Sequence, residues 1–259
     1  MSLRDVIEYV NSYLRKTFDL AYYDMYPLDW EITDNTSGIV INRPNHGLPH
    51  TARTAYIVPT VVAYFANFSN LQCNFTMKDI IKMQIVLLFA VVGRKNDMGY
   101  ADNQEVYKTF RLASANAFES FINNTPKYKN LFKDDAEIKQ YKNIVIDFAN
   151  PSYSDALRVI LRQCHCLDLP RCYEEPEFNQ KVRNPLNGYL GKNKADELID
   201  YSNKLLVATG DRILMKNKHY KFPLFEQCSH NIDICLEKIS QVPAPIPDKK
   251  MTPSQGFGV

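Results

Sequence analysis

Two of the chain's five histidines, His46 and His50, lie in one short segment, RPNHGLPHTAR at 43–53. A helix is predicted to begin within this segment, and the first N–H groups of a helix attract phosphate or carboxylate because they lack partners. Two imidazoles together with Arg43 and Arg53 at such a helix start would form a pocket that handles phosphate. The alternative is that His46 caps the loop and His50 is an ordinary first-turn residue, and the residue types alone favour neither.

A third histidine, His165, lies in the segment ILRQCHCLDLPR, at the margin of a predicted apolar helix face. Arg162 precedes it by three positions and Asp168 follows it by three, so both are its neighbours on a helix surface. An imidazole beside a carboxylate can be tuned to act as a general acid. A hydrogen-bonded histidine of the core is the more frequent outcome at such a position, and this alternative stays open.

A carboxylate, Glu105, lies at the start of the helix that is predicted over about 103–123. With Asp102 as the N-cap, Glu105 occupies the third helical position, and the two residues would form a capping box. The residues alone therefore favour a structural role for Glu105.

A metal centre is not expected from the cysteines or the histidines. Cys164 and Cys166 diverge by about 200° on a helix, so they cannot hold one metal ion together. With Cys172 they also lack the usual CxxC spacing. His46 and His50 lack the acidic residue of a zincin, and none of the five histidines is followed by the aspartate that a metal-dependent HD-type phosphohydrolase needs. We therefore expect neither a metal nor a cofactor.

The elements that must position these residues are predicted to be helices. The 259 residues are 45% hydrophobic and include only 9 glycines, which favours a folded chain with few tight turns. We expect an all-α, single compact domain of about eight helices with long functional loops, in which short β-like runs such as Gly38–Asn42 are too isolated to form a sheet. The helices are predicted at 4–17, 50–68, 77–93, 103–123, 134–148, 153–167, 193–209 and 223–240.

Charge and hydropathy narrow the class of protein further. A net charge of +2 gives no basic footprint for nucleic acid. The longest apolar run, at 85–92, is too short to span a bilayer, and the charged N-terminal helix does not read as a signal peptide. We expect a soluble, monomeric protein with a helical domain over 1–241. The proline-rich segment 242–259 is expected to be a linker or a disordered tail.

Three motifs carry a resemblance to a known family: NRPNHGLPHTARTAYIVP, an apolar helix ending in FAVVGRKND, and CHCLDLPR. Over roughly residues 40–172 the chain resembles the phosphodiesterase domain of the Legionella SidE-family effectors and their stand-alone relatives, the phosphoribosyl-ubiquitin deubiquitinases (Dup proteins). The PNHGxxHTxR element is the most specific part. The resemblance implies an all-helical domain that acts without a metal.

The resemblance also implies a His–Glu–His catalytic set at His46, Glu105 and His165, with Asp97 and Asp102 as alternatives for the carboxylate. His46 would attack phosphorus and form a phosphohistidine, while His165 would protonate the departing serine or AMP oxygen. Glu105 would hold His46 in the correct tautomer. Substrate or phosphate binding would fall to His50, Arg53, Arg43 and Arg94.

The function implied by the resemblance is cleavage of the phosphodiester between ubiquitin-linked ribose and a substrate serine. Modified ubiquitin and serine-modified proteins would be the partners, and the protein would be a secreted bacterial effector acting in the host cytosol. The alternatives are a phosphoribosyl-ubiquitin transferase acting on ADP-ribosyl-ubiquitin and a non-catalytic ubiquitin-binding module. Hydrolysis is favoured because no mono-ADP-ribosyltransferase domain is recognisable in the sequence.

Overall fold

The computed structural model describes residues 3–17, 31–33, 40–42, 47–94, 104–211, 213 and 222–247. Within these ranges the chain forms twelve α-helices, a 3₁₀ turn, a π-helical segment and one pair of short strands, so the predicted all-α fold is confirmed. The elements are α1 (Arg4–Thr17), β1 (Glu31–Thr33), β2 (Val40–Asn42), α2 (Leu48–Tyr56), α3 (Val58–Phe68), α4 (Met77–Phe89), α5 (Gln104–Asn124), α6 (Pro126–Lys129), α7 (Asp135–Asp147), α8 (Ala156–Cys166), the 3₁₀ turn (Leu169–Arg171), the π segment (Asn179–Arg183), α9 (Asn184–Leu190), α10 (Lys192–Ala208), α11 (Phe222–His230) and α12 (Ile232–Ser240).

The two strands correct one expectation. β1 and β2 pair antiparallel, with Ile32 opposite Ile41, so the β-like run at Gly38–Asn42 does contribute a strand. Its partner, Glu31–Thr33, lies between the predicted helices at 4–17 and 50–68. Three-residue strands carry too little period-2 patterning to be recognised from sequence.

The predicted helix over 50–68 is divided at Ile57, which caps α2 and α3 with an α-type backbone at φ −72° and ψ −16°. Pro59 causes the division because it has no N–H to donate to the carbonyl of Ala55. The side chain of Gln84 from α4 donates to that carbonyl instead, at 3.1 Å. The carbonyl of Ala55 thus keeps a hydrogen-bond partner at the break between α2 and α3.

The centre of the core is α4, as its all-round apolar sequence predicts. It begins with a capping box between Thr76 and Asp79. Its Ile85, Val86 and Phe89 are fully buried, and the helix contacts α1, α2, α3, α5, α7 and α8. These six helices therefore pack around α4.

Gly93 sets how closely α5 approaches the end of α4. A Cβ at this position would lie 2.3 Å from the carbonyl oxygen of Phe110 and 2.8 Å from the backbone nitrogen of Ser114. The N–H of Gly93 donates to the hydroxyl of Ser114 at 3.0 Å. Only glycine permits this contact, which holds α5 against the end of α4.

Two pairs of helices converge on α2. It packs against α4 and α8 and also against α11 and α12. The C-terminal end of α8 continues into the 3₁₀ turn Leu169–Arg171, which Pro170 opens. This convergence of α2 with the end of α8 builds the site.

Among the described helices, none is long and apolar enough to cross a membrane. Of the predicted tail, residues 242–247 are described, and 248–259 lie outside the described residues. The expected boundary at 241 stays a prediction.

Candidate active site

Asp168, which follows α8, is the centre of a buried cluster of charged side chains. Asp168 is 2% exposed. Oδ2 lies 2.7 Å from Nδ1 of His50, and Oδ1 accepts a hydrogen bond from Nε of Arg53 at 2.7 Å. Nε of Arg171 lies 3.1 Å from Oδ2, at ion-pair distance. We call these four residues, with Asp211, the Asp168 cluster.

Arg53 ties this cluster to the end of α10. Its Nη1 donates to the hydroxyl of Thr209 at 2.8 Å, and its Nη2 donates to Asp211 at 2.9 Å and to Asp168 at 3.1 Å. Burial alone would lower the pKa of Arg53, but the two carboxylates hold it above its usual value. All three guanidinium nitrogens are thus committed to protein oxygens, and a phosphate could reach Arg53 only by replacing one of them.

The charge of Asp168 determines which nitrogen of His50 carries a proton. Burial alone would raise the pKa of Asp168, yet Arg53, Arg171 and the hydrogen bond from His50 hold it well below its usual value. An ionised carboxylate only accepts hydrogen bonds, so Nδ1 of His50 is the donor. Nη2 of Arg171 lies 3.2 Å from the same Nδ1. Because both groups are donors, this contact is not a hydrogen bond.

The imidazole of His165 lies in the last turn of α8, directly beside that of His50. The two ring centroids are 5.2 Å apart and the rings meet edge to face at 78°. The ring of Phe148 lies 5.8 Å from His165 on another side. Nδ1 of His165 is enclosed and has no hydrogen-bond partner among the described residues. That differs from the hydrogen-bonded core histidine of the alternative interpretation.

The surroundings of His165 disfavour its protonation. Burial, followed by the charges of His50, Arg111 and Arg171, holds the pKa of His165 well below its ordinary value of 6.5, and Asp168 opposes this only in part. The guanidinium of Arg111 stacks 5.0 Å from the centre of the Phe148 ring. In the protein without ligand, His165 is therefore a neutral imidazole at neutral pH.

Two predicted site residues near the start of α2, His46 and Arg43, lie outside the described residues. His46 directly precedes Gly47, the N-cap of α2, which makes no side-chain cap. Asp97 and Asp102 also lie outside the described residues.

Glu105 and Arg94 lie at the junction of α4 and α5. Glu105 is exposed in the first turn of α5, and its backbone carbonyl accepts a hydrogen bond from Thr109 at 2.8 Å. Within the described part of the chain, no hydrogen bond joins its carboxylate to His50 or His165. Arg94 is buried, with its guanidinium 5.3 Å from the centre of the Phe110 ring.

Of the predicted set, the structure therefore brings together His50, Arg53 and His165. Sequence reasoning considered Asp168 only as a neighbour of His165, whereas its carboxylate binds His50 and Arg53. The spacing of Asp168 and Arg171 in DLPR was a usable signal, because such residues form i,i+3 ion pairs. The remaining contributors gave no local signal: Thr209, Asp211 and Arg111.

Fold and site together define a helical domain whose centre holds imidazoles among arginines, an arrangement suited to an anionic substrate. Residues 12–214 match the SidE phosphodiesterase (PDE) domain. The chain belongs to the SidE phosphodiesterase domain family, which makes it an enzyme of the phosphodiesterase class. The resemblance predicted from the motifs is confirmed.

Two curated relatives come from Legionella pneumophila. The ubiquitinating/deubiquitinating enzyme SdeA is 24% identical over 191 residues, which are 68% of this chain and 12% of SdeA. The ubiquitinating enzyme SidE is 22% identical over 205 residues, which are 73% of this chain and 13% of SidE. The chain thus spans a small part of the length of these relatives.

Solved structures of the lpg1496 protein have the same fold. One crystal structure superposes with a TM-score of 0.77 at 27% identity, covering 94% of this chain and 97% of that chain. The C-terminal domain of lpg1496 from Legionella pneumophila, in complex with nucleotide, superposes with a TM-score of 0.73 at 28% identity, covering 92% and 89%.

Proposed function

We propose that this phosphodiesterase acts on phosphoribosylated ubiquitin and releases it from substrate serines, without a metal and through a phosphohistidine on His46. The observation that carries the proposal is the contact between the rings of His50 and His165 at 5.2 Å. This contact joins the PNHGLPHTAR segment, which contains His46, to the CHCLDLPR segment more than a hundred positions later. Family membership and the names of SdeA and SidE support ubiquitin as the partner.

The proposed reaction has two steps at phosphorus. In the first, a ring nitrogen of His46 forms a bond to phosphorus as the bond to the serine oxygen breaks, and His165 gives that oxygen a proton. In the second, His165 takes a proton from water, the water oxygen attacks phosphorus, and His46 is released. Glu105 holds His46 in the tautomer that exposes the attacking lone pair.

The charges around His165 suit this sequence of proton transfers. Arg111 and Arg171 lower the pKa of His165 in the free protein. A bound phosphodiester is an anion and would offset both arginines, which raises the pKa of His165 again. The proton needed by the leaving group would thus be taken up when substrate binds. The same arginines would offset charge on the phosphoryl oxygens as it develops.

The relatives support a proposal for where this activity takes place. We propose a secreted effector that acts in the host cytosol on serine-modified proteins, with the helical domain over 1–241 as the catalytic unit and 242–259 as a linker or tail. Phosphate contacts would come from His50, Arg43 and Arg94, while Arg53 would act through Asp168.

The proposal is tested with purified protein and a substrate that carries serine-linked phosphoribosyl-ubiquitin. We expect the wild type to release phosphoribosyl-ubiquitin in the presence of a chelator, and His46→Ala and His165→Ala to release essentially none. His230→Ala is the matched control, because His230 is an exposed histidine at the end of α11.

Three results would contradict the proposal. Release by His46→Ala at the wild-type rate would exclude His46 as the nucleophile. Ligation of ADP-ribosyl-ubiquitin without release from serine would identify a transferase. Binding of modified ubiquitin with no turnover of either substrate would identify a non-catalytic module.

A further inference from the structure

We infer that Asp168 is a positioning residue of this site: its carboxylate fixes His50 as the Nδ1–H tautomer and holds that ring against His165. The inference rests on the proposed function, in which these two imidazoles lie beside the phosphodiester. It assigns a role in the reaction to a buried carboxylate that contacts His50 and lies three residues beyond His165 in the chain.

The direction of the Asp168 carboxylate is determined by Arg53. The guanidinium binds both carboxylate oxygens, through Nε at 2.7 Å and Nη2 at 3.1 Å, and such a two-point contact prevents rotation of the carboxylate. Arg53 is itself held by Thr209 and Asp211 from the other side. The acceptor that faces His50 is therefore fixed before any ligand arrives.

A fixed acceptor at 2.7 Å sets both the tautomer and the tilt of the His50 ring. With the proton on Nδ1, Nε2 lies on the opposite side of the ring from Asp168. A carboxylate that fixes an imidazole in this way contributes strongly to catalysis in hydrolases, although it never touches the substrate. Because the rings of His50 and His165 are in edge-to-face contact, a turn of His50 would also displace the surroundings of His165.

A purely structural role for Asp168 would need only the ion pair with Arg53. Asp211 provides the comparison, because it is also buried and also accepts from Arg53, at 2.9 Å. Asp168, unlike Asp211, also contacts His50, at 2.7 Å from Nδ1. Replacing each aspartate by asparagine in turn removes one negative charge beside Arg53, and only one of the two replacements alters the partner of His50.

The test compares Asp168→Asn with Asp211→Asn by two measurements. NMR of the ¹⁵N-labelled imidazoles, without substrate and in alkaline buffer where the rings are neutral, reports the tautomer of His50. We expect Nδ1–H in the wild type and in Asp211→Asn, and a loss of that tautomer in Asp168→Asn. Steady-state kinetics should give a kcat lower by at least about tenfold and up to about 10⁴-fold for Asp168→Asn, with a smaller change in KM. Asp211→Asn should lower kcat less than Asp168→Asn does, because it leaves the acceptor of His50 in place.

The inference is overturned if wild-type His50 is the Nε2–H tautomer, or if Asp168→Asn keeps Nδ1–H. Equal losses of kcat in the two variants, in proportion to their unfolding, would reduce Asp168 to a structural ion pair. Should Asp168→Asn fail to fold, the wild-type tautomer and the kcat of Asp168→Glu decide the matter: a fully active Glu variant with a changed tautomer contradicts the inference. An inactive wild type would contradict the proposed function alone, because the NMR measurement needs no turnover.

Discussion

Two clusters of buried cations differ in how completely their charges are paired. One is the Asp168 cluster. The other, the Lys82 cluster, consists of Lys82 on α4 with Asp79 and Glu137. Lys82 is 5% exposed, and its Nζ donates to Glu137 at 2.6 Å and lies 3.5 Å from Asp79. The ammonium also lies over the rings of Phe132 and Tyr141, at 5.4 and 5.5 Å.

The two carboxylates of the Lys82 cluster also form hydrogen bonds at the N-terminal ends of two helices. Asp79 belongs to the capping box of α4, and Glu137 accepts a hydrogen bond from the backbone of Lys133 before α7. Both carboxylates reach solvent, with side chains 28% and 22% exposed. One buried cation is thus paired with two carboxylates that are partly exposed to solvent. The charges of this cluster therefore give no indication of a ligand.

Around the Asp168 cluster the balance is reversed. Arg53 and Arg171 pair with the aspartates, Arg111 adds a third positive charge near His165, and Nδ1 of His165 has no partner within the described residues. An anion placed here would complete the charge balance. A buried ion cluster with an excess of positive charge next to an imidazole is therefore a sign of function, whereas a paired and partly hydrated cluster is a sign of structure.

The largest expected difference between the clusters is in catalysis. Replacing His165 by Asn should lower kcat by about a thousandfold or more, because the leaving oxygen would lose the proton donor that we propose. Lys82→Met should keep kcat within about twofold for the folded fraction. Rates of phosphoribosyl-ubiquitin release check both, and equal losses in the two variants would show that the clusters do not differ in function.

The next difference is in stability. Arg53→Met leaves Asp168 and Asp211 buried without their shared cation, which should cost about 3–5 kcal/mol in the free energy of unfolding. Lys82→Met should cost roughly 1–2 kcal/mol, since Asp79 and Glu137 can be rehydrated. Urea titrations measure both values. A smaller cost for Arg53→Met than for Lys82→Met would be incompatible with the burial described above.

How far the sequence predicts these clusters depends on the separation of the partners. Helical spacing predicts a stripe on α1 at Val6, Tyr9, Val10 and Leu14, because each contact is one or two turns away. Val6, Val10 and Leu14 are buried, and Tyr9 is partly buried against the core. The bond between His50 and Asp168 joins positions 118 residues apart. No local pattern encodes such a pair, so both residues were visible in the sequence while their contact was not.

A smaller difference between the two clusters is expected in how ligand affinity depends on pH. An anionic ligand that raises the lowered pKa of His165 must bind together with a proton. Affinity for ADP-ribose should therefore increase as pH falls between the bound and free pKa values, by up to about tenfold per pH unit. Calorimetry in buffers of different ionisation enthalpy should detect proton uptake in Lys82→Met and none in His165→Gln. Uptake that persists in His165→Gln would assign the proton to another group.

The smallest effect is on acid stability. Below pH 6.5 the unfolded chain protonates His165 while the folded protein, with its lowered pKa, does not. The free energy of unfolding should then fall by up to about 1.4 kcal/mol per pH unit, and His165→Gln should remove this contribution. In the Lys82 cluster, burial alone would raise the pKa of Asp79, but Thr76 and Lys82 lower it, so its contribution is lost only below pH 3.8. Identical acid profiles for wild type and His165→Gln would contradict this account.

The central claim is that the segments around His46 and His165 form one site in which His46 carries the phosphoryl group. Rapid quenching of the wild type within its first turnover of phosphoribosyl-ubiquitinated substrate, followed by mass spectrometry of the peptides, tests it most directly, because the adduct forms in the first step and is released only in the second. We predict a phosphoribosyl-ubiquitin adduct on His46 and none in His46→Ala. An adduct on His50, or turnover by the wild type with no histidine adduct, would contradict the claim.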